Sequence, residues 1–336
     1  MKKVAAQAKA FSAESARVRI VTATSLFDGH DAAINIMRRI LQRQGAEVIH
    51  LGHDRSVDEI VTAAIQEDAD AIAVSSYQGG HSEFFRYMID ELRARGGSHV
   101  RVYGGGGGTI LPDEIRALEA YGVARLFSPE DGRSLGLDGM IAAIIRECRA
   151  SLPRTIDGCL GRLGPDDPAA VARVISFLEG SGPPEEIARV RDALTRRAAE
   201  RNAPKIVGFT GTGGAGKSSV VDEITRRIRR DFASARLALL LVDPSRRSSG
   251  GALLGDRIRL NSIHDGAVYV RSMGTRKASA ALSESVDDAL LVLSAAGFDL
   301  VLLESAGIGQ SGSEIVDLSD VCVYVMTPEF GAPTQL

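Results

Sequence analysis

A glycine-rich segment that ends in a lysine and a serine carries the strongest chemical signal in the chain. Residues 211–218 read Gly-Thr-Gly-Gly-Ala-Gly-Lys-Ser, and a second serine follows. Glycine lets successive backbone N–H groups turn inward toward an anion, while the lysine and the hydroxyl suit phosphate and Mg²⁺. The segment therefore predicts a phosphate-binding loop, with contacts to a nucleoside triphosphate from Gly211, Gly213, Gly214, Ala215, Gly216, Lys217, Ser218 and Ser219.

The flanking residues predict the strand and the helix that such a loop requires. The apolar run 205–210 is typical of a buried strand, and apolar residues recur at helical spacing over 220–228. A helix that begins at the loop adds partial positive charge beside the phosphates. We expect Lys217 to reach the outer phosphates and Ser218 to hold Mg²⁺, whereas a glycine-rich turn that binds nothing is the less specific alternative.

Acidic residues follow the predicted strands of this half. Strands are predicted over 236–242 and 299–303, and Asp243 and Glu304 come directly after them; Asp256 lies in a glycine-rich stretch between. Mg²⁺ takes oxygen ligands from carboxylates together with those of substrate phosphates, so the three carboxylates are candidate magnesium ligands. The alternative is that they are ordinary loop carboxylates.

A second group of polar and glycine residues lies at predicted strand ends of the first half. The four loops read Asp28-Gly29-His30-Asp31, Ser75-Ser76-Tyr77, five glycines over 104–108, and Ser128-Pro129-Glu130-Asp131-Gly132. Ligands of parallel sheets bind beyond the carboxyl ends of the strands, so these loops predict a slot for a large ligand.

The histidines of the first half allow several interpretations from the residues alone. His30 is either a surface loop histidine beside two carboxylates or part of a divalent metal site with Asp28 and Asp31. Three ligands so close in sequence rarely all turn inward, which disfavours the metal site. His50 and His53 are interpreted as rim or packing residues, because no third ligand stands near them.

The order of elements predicts an α/β fold with two ligand-binding domains. Strand and helix patterns alternate five times in the first half, which indicates a parallel sheet covered on both faces, and a flavodoxin-like strand order is preferred. We predict a lead-in over 1–16, a flavodoxin-like domain over 17–150, a helical linker over 151–203 and a phosphate-loop domain over 204–336. The linker is interpreted equally as a lever between the two sites or as a plain connector.

Composition, charge and cysteine content bear on the partners and the location that are expected for the protein. The chain has 336 residues, of which 44% are hydrophobic and 25% charged, and a formal net charge of −3. This balance gives no reason to expect a nucleic-acid partner. Cys148, Cys159 and Cys322 form neither a metal-type spacing nor an even disulfide set, which predicts a reducing, cytoplasmic location. No membrane span and no signal peptide are predicted.

The first-half loops resemble the cobalamin-binding fingerprint of base-off, His-on proteins. Asp28-x-His30-x-x-Ala33, Ser75-x-Tyr77 and Gly104-Gly105 stand where that fingerprint has D-x-H-x-x-G, S-x-L and GG, with Ala33 and Tyr77 as departures. The resemblance implies that His30 ligates cobalt, that Asp28 holds the other ring nitrogen, and that Ser75 hydrogen-bonds the displaced dimethylbenzimidazole. The glycine pair would let the nucleotide tail pass close to the backbone.

The second half resembles the GTPase chaperones of cobalamin-dependent acyl-CoA mutases. The matching stretches are V-D-P-S, G-D-R-x-R and E-S-x-G-x-G-Q-S, the last with Ser305 where the family often has Thr. The resemblance implies a magnesium site from Ser218, Asp243, Asp256 and Glu304 with Ser305 close by, Arg259 near the nucleotide, and catalytic roles for Lys217, Asp256 and Glu304. GTP follows from this resemblance alone, because the guanine-recognition motif N-K-x-D is absent; a truncated chain is the simplest account.

A cobalamin domain joined directly to this GTPase type resembles the N-terminal part of the fused isobutyryl-CoA mutases. The resemblance covers nearly all of residues 17–336. It implies adenosylcobalamin, an acyl-CoA mutase barrel domain that this chain lacks, a homodimer at full length, and delivery of the cofactor by an adenosyltransferase. Isomerase activity is expected of the full-length protein only. Two alternatives stay open: a stand-alone sensor in which cobalamin gates nucleotide hydrolysis, and a nucleotide-driven switch whose first domain binds no corrinoid.

Overall fold

Two parallel β-sheets, each flanked by helices, make up the protein. The computed structural model describes residues 17–152, 155–156, 158–181, 183–243, 251–263, 267–274, 281–305, 315 and 317–327. The predicted lead-in over 1–16 lies outside these residues. None of the helices in the described ranges is both long and apolar enough to cross a membrane.

The first sheet confirms the flavodoxin-like strand order. Its strands are β1 Arg19–Ser25, β2 Glu47–Arg55, β3 Ala71–Ser75, β4 Arg101–Gly105 and β5 Arg125–Phe127. They are parallel throughout and lie in the order β5-β4-β3-β1-β2. β1 and β3 are buried along their whole length, as expected of strands covered on both faces.

Four helices connect these strands, and a fifth follows β5. They are α1 Asp31–Arg43, α2 Val57–Gln66, α3 His81–Ala94, α4 Pro112–Tyr121 and α5 Pro129–Arg149. A capping box starts α2, because Ser56 Oγ accepts the Glu59 N–H at 3.2 Å while the Glu59 carboxylate accepts the Ser56 N–H at 2.9 Å. Ser128 and Asp131 start α5 in the same way, and this helix is broken at Gly136.

The second sheet carries the phosphate loop. Its strands are β6 Lys205–Gly211, β7 Leu237–Asp243, β9 Val268–Gly274, β10 Leu300–Glu304 and β11 Val321–Val325, with helices α9 Lys217–Asp231 and α10 Ala281–Ala296. The strands are parallel in the order β11-β6-β10-β7-β9. β7 is buried throughout, whereas β11 lies at the sheet edge and is largely exposed.

Most of the predicted linker is helical and packs on the second sheet. Its helices are α6 Cys159–Arg162, α7 Pro168–Ser176 and α8 Pro184–Ala199, with a π-helical turn over 177–181. The short helix α6 lies in the first part of this segment, between glycine and proline residues. α7 and α8 bury apolar side chains such as Val171 and Leu194 in one cluster with α10. The described part of this segment is therefore a packed layer.

A short strand links the two halves. β8, Ala252–Leu254, comes from the second half of the chain but pairs in parallel with Glu47–Ile49 at the free edge of β2. A 3₁₀ turn, Asp256–Arg259, follows directly and leads back to the second sheet. The sequence does not predict β8, because three residues are too few to show a periodic pattern.

Charged side chains fill part of the contact between the halves. Arg19, Glu47, Glu67, Glu179, Arg257 and Arg271 are all buried there and are called the interface ion cluster. Glu67 accepts from Arg19 Nη1 at 3.1 Å and from Arg257 Nη1 at 3.2 Å. Arg271, at 0% exposure, donates to the Glu67 carbonyl at 2.8 Å and to Glu179 at 2.5 Å. Three cations thus face three anions, which compensates the cost of burying them.

Candidate cofactor and nucleotide sites

The loop after β1 holds Asp28 and His30 against each other. Asp28 is buried, and its Oδ1 lies 2.8 Å from His30 Nδ1 and accepts the His30 N–H at 2.9 Å. Its other oxygen accepts the N–H of Tyr77, which follows β3. Burial opposes ionisation, but the hydrogen bonds from Tyr77 and His30 outweigh it and hold the pKa of the Asp28 carboxyl below its ordinary value.

His30 keeps one ring nitrogen on the exposed side of this loop. The ionised Asp28 carboxylate can only accept, so the neutral tautomer that it selects carries the proton on Nδ1 and the lone pair on Nε2. The His30 side chain is 77% exposed. An accessible imidazole whose tautomer is fixed by a carboxylate is suited to ligating a metal.

A cavity of about 160 Å³ opens beside this loop, between the first sheet and helices α1 and α5. Ser75 lies in its wall and is buried, and its Oγ has no hydrogen-bond partner among the described residues. Because an unsatisfied buried hydroxyl is costly, this wall fits a ligand that brings a polar atom to Ser75. The cavity is therefore suited to a mostly apolar group that carries a hydrogen-bonding atom.

The sequence predicts the polar and glycine residues of this cavity but does not predict its apolar lining. Much of the lining comes from α1, the end of β5 and α5, through Ile34, Met37, Phe127, Leu137, Met140 and Ile144. Leu137, Met140 and Ile144 recur at helical spacing, which is the one signal that could have found them. The same spacing is typical of an ordinary core helix, so it does not distinguish a ligand pocket.

The glycine run is required by the protein itself as well as by any ligand. A Cβ atom on Gly104 would lie 2.5 Å from Phe85 Cζ, and one on Gly106 would lie 1.9 Å from the Ser76 carbonyl oxygen. Gly104 and Gly105 both line the cavity. The glycines are predicted from the sequence to let a ligand approach the backbone, and the structure adds close packing between β4 and its neighbours as a second reason for them.

Two other histidines of the first half, His50 and His81, have partners inside the protein. His50 Nδ1 lies 3.0 Å from Thr22 Oγ1 between β2 and β1, and both residues are buried. His81 begins α3, and its Nε2 lies 3.1 Å from Glu114 at the start of α4. In the part of the chain that the structure describes, no group of three or more His, Cys, Asp or Glu side chains is placed to hold a metal ion. The Asp31 side chain lies outside that part.

The predicted phosphate loop joins the end of β6 to the start of α9. Gly211, Gly214 and Gly216 have φ of +141°, +82° and +90°, which glycine adopts readily. The Ala215 N–H donates to the Thr212 carbonyl at 3.2 Å. Lys217 Nζ donates to the Gly211 and Thr212 carbonyls at 3.3 and 3.2 Å, so its ammonium group lies against this loop.

Oxygen-bearing side chains from three strand ends meet beside the loop. Ser218 Oγ donates to Glu304 Oε1 at 2.7 Å, and Ser305 Oγ donates to Thr210 Oγ1 at 3.2 Å. Ser218, Glu304 and Ser305 share a cleft of about 520 Å³. Its lining consists of Gly213, Gly214, Gly216, Lys217, Ser218, Ser219, Asp243, Arg259, Glu304 and Ser305. Hydroxyl and carboxylate oxygens beside a phosphate loop are the donor set that Mg²⁺ prefers, so the residues present fit this ion. The Asp256 backbone lies in the 3₁₀ turn, and its side chain is outside the described part.

Comparison with known proteins gives one family for each sheet. The B12 binding domain family matches residues 18–132, and the methylmalonyl Co-A mutase-associated GTPase MeaB family matches residues 171–336. The second match begins in α7, inside the segment predicted as a linker. The chain therefore joins a cobalamin-binding domain to a GTPase domain of the MeaB type.

Curated relatives extend the comparison to nearly the whole chain. The chain is 56% identical over 323 residues to the fused isobutyryl-CoA mutase of Geobacillus kaustophilus, and 55% identical over 321 residues to that of Cupriavidus metallidurans. Each alignment covers 95% of this chain but only 30% and 29% of these relatives. Over nearly its whole length the chain is similar to a part of the fused isobutyryl-CoA mutases, and that part corresponds to its cobalamin-binding and MeaB-type GTPase domains.

Proposed function

We propose that this chain is the cofactor-handling part of an adenosylcobalamin-dependent acyl-CoA mutase. The domain over 17–150 takes the cofactor, the domain over 204–336 binds and hydrolyses GTP with Mg²⁺, and the segment over 151–203 connects them. The observation that carries the proposal is the Asp28–His30 contact of 2.8 Å beside a cavity whose wall holds the unpartnered Ser75 hydroxyl. A ligating nitrogen and a hydrogen-bonding cavity side by side suit a cofactor bound through its metal and its displaced base.

The residues of the first domain would bind the cofactor, orient it and shield it from solvent. His30 Nε2 is the proposed cobalt ligand, and Asp28 fixes its tautomer and raises its basicity. Ser75 would hydrogen-bond the displaced base, while Gly104 and Gly105 leave room for the nucleotide tail. When bound, adenosylcobalamin supplies radical chemistry through homolysis of its cobalt–carbon bond, and the contribution of the protein is binding and exclusion of solvent.

In the second domain the residues act mainly through charge. The N–H groups of the phosphate loop, the start of α9 and Lys217 would hold the phosphates and stabilise negative charge as the γ-phosphate is transferred to water. Ser218, Asp243, Asp256 and Glu304 are the proposed magnesium ligands, with Ser305 beside them, and Arg259 lies in the same cleft. Bound Mg²⁺ would supply neutralisation of phosphate charge.

The activity of the whole protein is part of the proposal, because the chain spans less than a third of the length of these relatives. We infer that a mutase barrel domain in the full-length protein holds the acyl-CoA and that isobutyryl-CoA and n-butyryl-CoA are interconverted there. A cytoplasmic homodimer that receives its cofactor from an adenosyltransferase fits this assignment. This chain alone is not expected to isomerise an acyl-CoA.

The visible spectrum of bound cobalamin tests the proposal. The purified chain is mixed with adenosylcobalamin, and the spectra of wild type, His30→Ala and the matched variant His53→Ala are compared. We expect a base-off, histidine-ligated spectrum in wild type and in His53→Ala, and its loss in His30→Ala. Absence of any corrinoid binding by folded wild type would reject the assignment and favour a nucleotide-driven switch with an interaction module.

A further inference from the structure

Phe27 is an aromatic residue in a backbone conformation that glycine normally takes. It is the third residue of the turn Ser25–Asp28, which the Asp28 N–H closes by donating to the Ser25 carbonyl at 3.1 Å. Its φ is +64°, in the left-handed region that is costly for a bulky side chain. Glycine would be more stable than phenylalanine at this position. The presence of phenylalanine therefore suggests that its ring has a function.

Asp54 holds Phe27 in this conformation. Asp54 Oδ1 accepts the Phe27 N–H at 2.7 Å, from the end of β2 to the loop after β1. Asp54 itself has a φ of +57°. The register between β1 and β2 also shifts here, after Ala23. Irregular strand ends of this kind commonly change the direction of a side chain next to a functional site.

The Phe27 ring lies in solvent beside the proposed cobalt ligand. It is 86% exposed and directly precedes Asp28, which orients His30. In the sheet β1 lies between β2 and β3, so Asp54 approaches the His30 loop from the β2 side and Tyr77 from the β3 side. A corrin ring is much wider than the imidazole that ligates its cobalt, and therefore extends over residues on both sides of this loop.

We propose that Phe27 is a cobalamin-contact residue, whose ring packs against the lower face of the corrin on the β2 side, and that Asp54 is the positioning residue that keeps it there. The inference rests on the proposed cobalamin function. The hydrocarbon framework of the corrin is an apolar partner for an otherwise solvated aromatic ring, and covering both removes apolar surface from water. The contact also explains why the turn retains phenylalanine at a position that suits glycine.

Affinity and stability together test this inference. Cobalamin is titrated into wild type, Phe27→Gly, Phe27→Ala and Phe27→Leu, with dissociation constants read from the visible spectrum and Tm measured without ligand. We expect Phe27→Gly and Phe27→Ala to raise the Kd about tenfold or more, and Phe27→Leu to raise it less, because leucine keeps apolar surface. Phe27→Gly should keep or raise the Tm, because glycine tolerates this φ.

Four further variants separate the effects of Asp54 and of the Phe27 ring from general surface effects. Asp54→Ala removes the acceptor and should weaken binding, whereas Asp54→Asn keeps an oxygen acceptor and should bind like wild type. In a Phe27→Gly background, Asp54→Ala should add no further loss, because its effect acts through the ring. Phe232→Ala removes a ring that is 65% exposed at the end of α9, far along the chain, and should leave the Kd unchanged.

The outcomes distinguish this inference from the function on which it rests. Wild-type affinity in Phe27→Gly and Phe27→Ala, with His30→Ala still defective, would overturn the Phe27 contact alone and point to a protein domain as the partner of the ring. A clear fall in Tm of Phe27→Gly would make the residue structural and would also overturn it. Failure of folded wild type to bind any cobalamin would overturn both proposals.

Discussion

At the scale of single residues, Asp28 determines how the proposed cobalt ligand is presented. It is an anion that accepts from the His30 ring and from two backbone N–H groups, which is why the pKa of its carboxyl is lowered despite burial. Asp28→Asn removes the charge and can offer an amide N–H to the same ring nitrogen, so the tautomer of His30 is no longer fixed. We expect the Kd for cobalamin to rise about 10- to 100-fold, the usual effect of losing such an outer partner. A visible-spectrum titration measures it, with Asp58→Asn on the exposed start of α2 as control.

The same carboxyl predicts a pH dependence of stability. Its folded-state pKa lies below the ordinary value of 3.8, so its contribution to the free energy of unfolding is fully present above about pH 3.8. As the pH falls through the folded-state value, the carboxyl protonates and that contribution is lost. Urea unfolding at pH 6 and pH 3 should therefore show a smaller acid loss in Asp28→Asn than in wild type. An identical loss in both proteins would contradict the prediction.

The three cysteines differ in reactivity because they differ in burial. Burial raises the pKa of the Cys148 thiol to about 12 and also raises that of Cys159, so little thiolate forms near neutral pH. Cys322 lies exposed on β11. At pH 8 a thiol reagent should label one cysteine per chain rapidly, and Cys322→Ser should abolish that fast phase. Rapid labelling of Cys148 in the folded protein would contradict the burial described here.

At the scale of elements, β8 connects the GTPase half to the cobalamin sheet, and its docking depends on Gly251. A Cβ atom at Gly251 would lie 2.1 Å from the Gln42 carbonyl oxygen, which is backbone and cannot swing away. Gly251→Ala should therefore push β8 from the edge of β2 and lower the free energy of unfolding by about 1–3 kcal/mol. Gly255→Ala is the matched control, because no atom of the described residues lies within 4 Å of its added Cβ.

Hydrogen exchange gives the location of that effect. If β8 detaches, the backbone amides over 252–254 and 47–49 should exchange faster in Gly251→Ala, while those of β6 and β10 should not change. Faster exchange throughout the second sheet would instead show that the substitution disturbs the whole half.

The elements also show where sequence reasoning succeeds and fails. The order β5-β4-β3-β1-β2 is predictable because its longer strands and helices alternate with clear periods, and the carboxyl ends of parallel strands share one edge. That edge is why Asp28, Ser75 and Gly104 could be grouped without a structure. The apolar lining from α5 could not be separated from ordinary core, and the strand β8 is too short to give any pattern.

At the scale of the whole molecule, long-range pairing of charges is the feature that the sequence conceals. Arg19 and Glu67 are 48 residues apart, and Glu67 and Arg257 are 190 apart, yet all three meet in the interface ion cluster. Taken one at a time they resemble solvated charges at the ends of strands and helices. Only the pairing of β8 with β2 and the packing of α2 against β9 bring them together and bury them.

Glu67 is the member of this cluster whose loss should matter most. It is fully buried, and its carboxylate accepts from Arg19, Arg257 and Ser272, which come from both halves of the protein. Glu67→Ala would leave two guanidinium groups buried with less compensation, so we expect the free energy of unfolding to fall by about 3–5 kcal/mol. Denaturant unfolding followed by two probes should measure this, and loss of coincidence between the probes would show that the two halves no longer unfold together.

A surface ion pair provides the contrast for that measurement. Glu223 pairs with Arg226 and Arg227 on the exposed face of α9, where water and salt screen the charges. Glu223→Ala should therefore leave the unfolding midpoint unchanged within error, although it too removes one carboxylate that contacts two arginines. Equal destabilisation by Glu67→Ala and Glu223→Ala would mean that burial of the cluster contributes nothing specific. A large difference would show that the guanidinium groups buried between the two halves depend on Glu67 for compensation, so that displacement of one half would expose or unpair them.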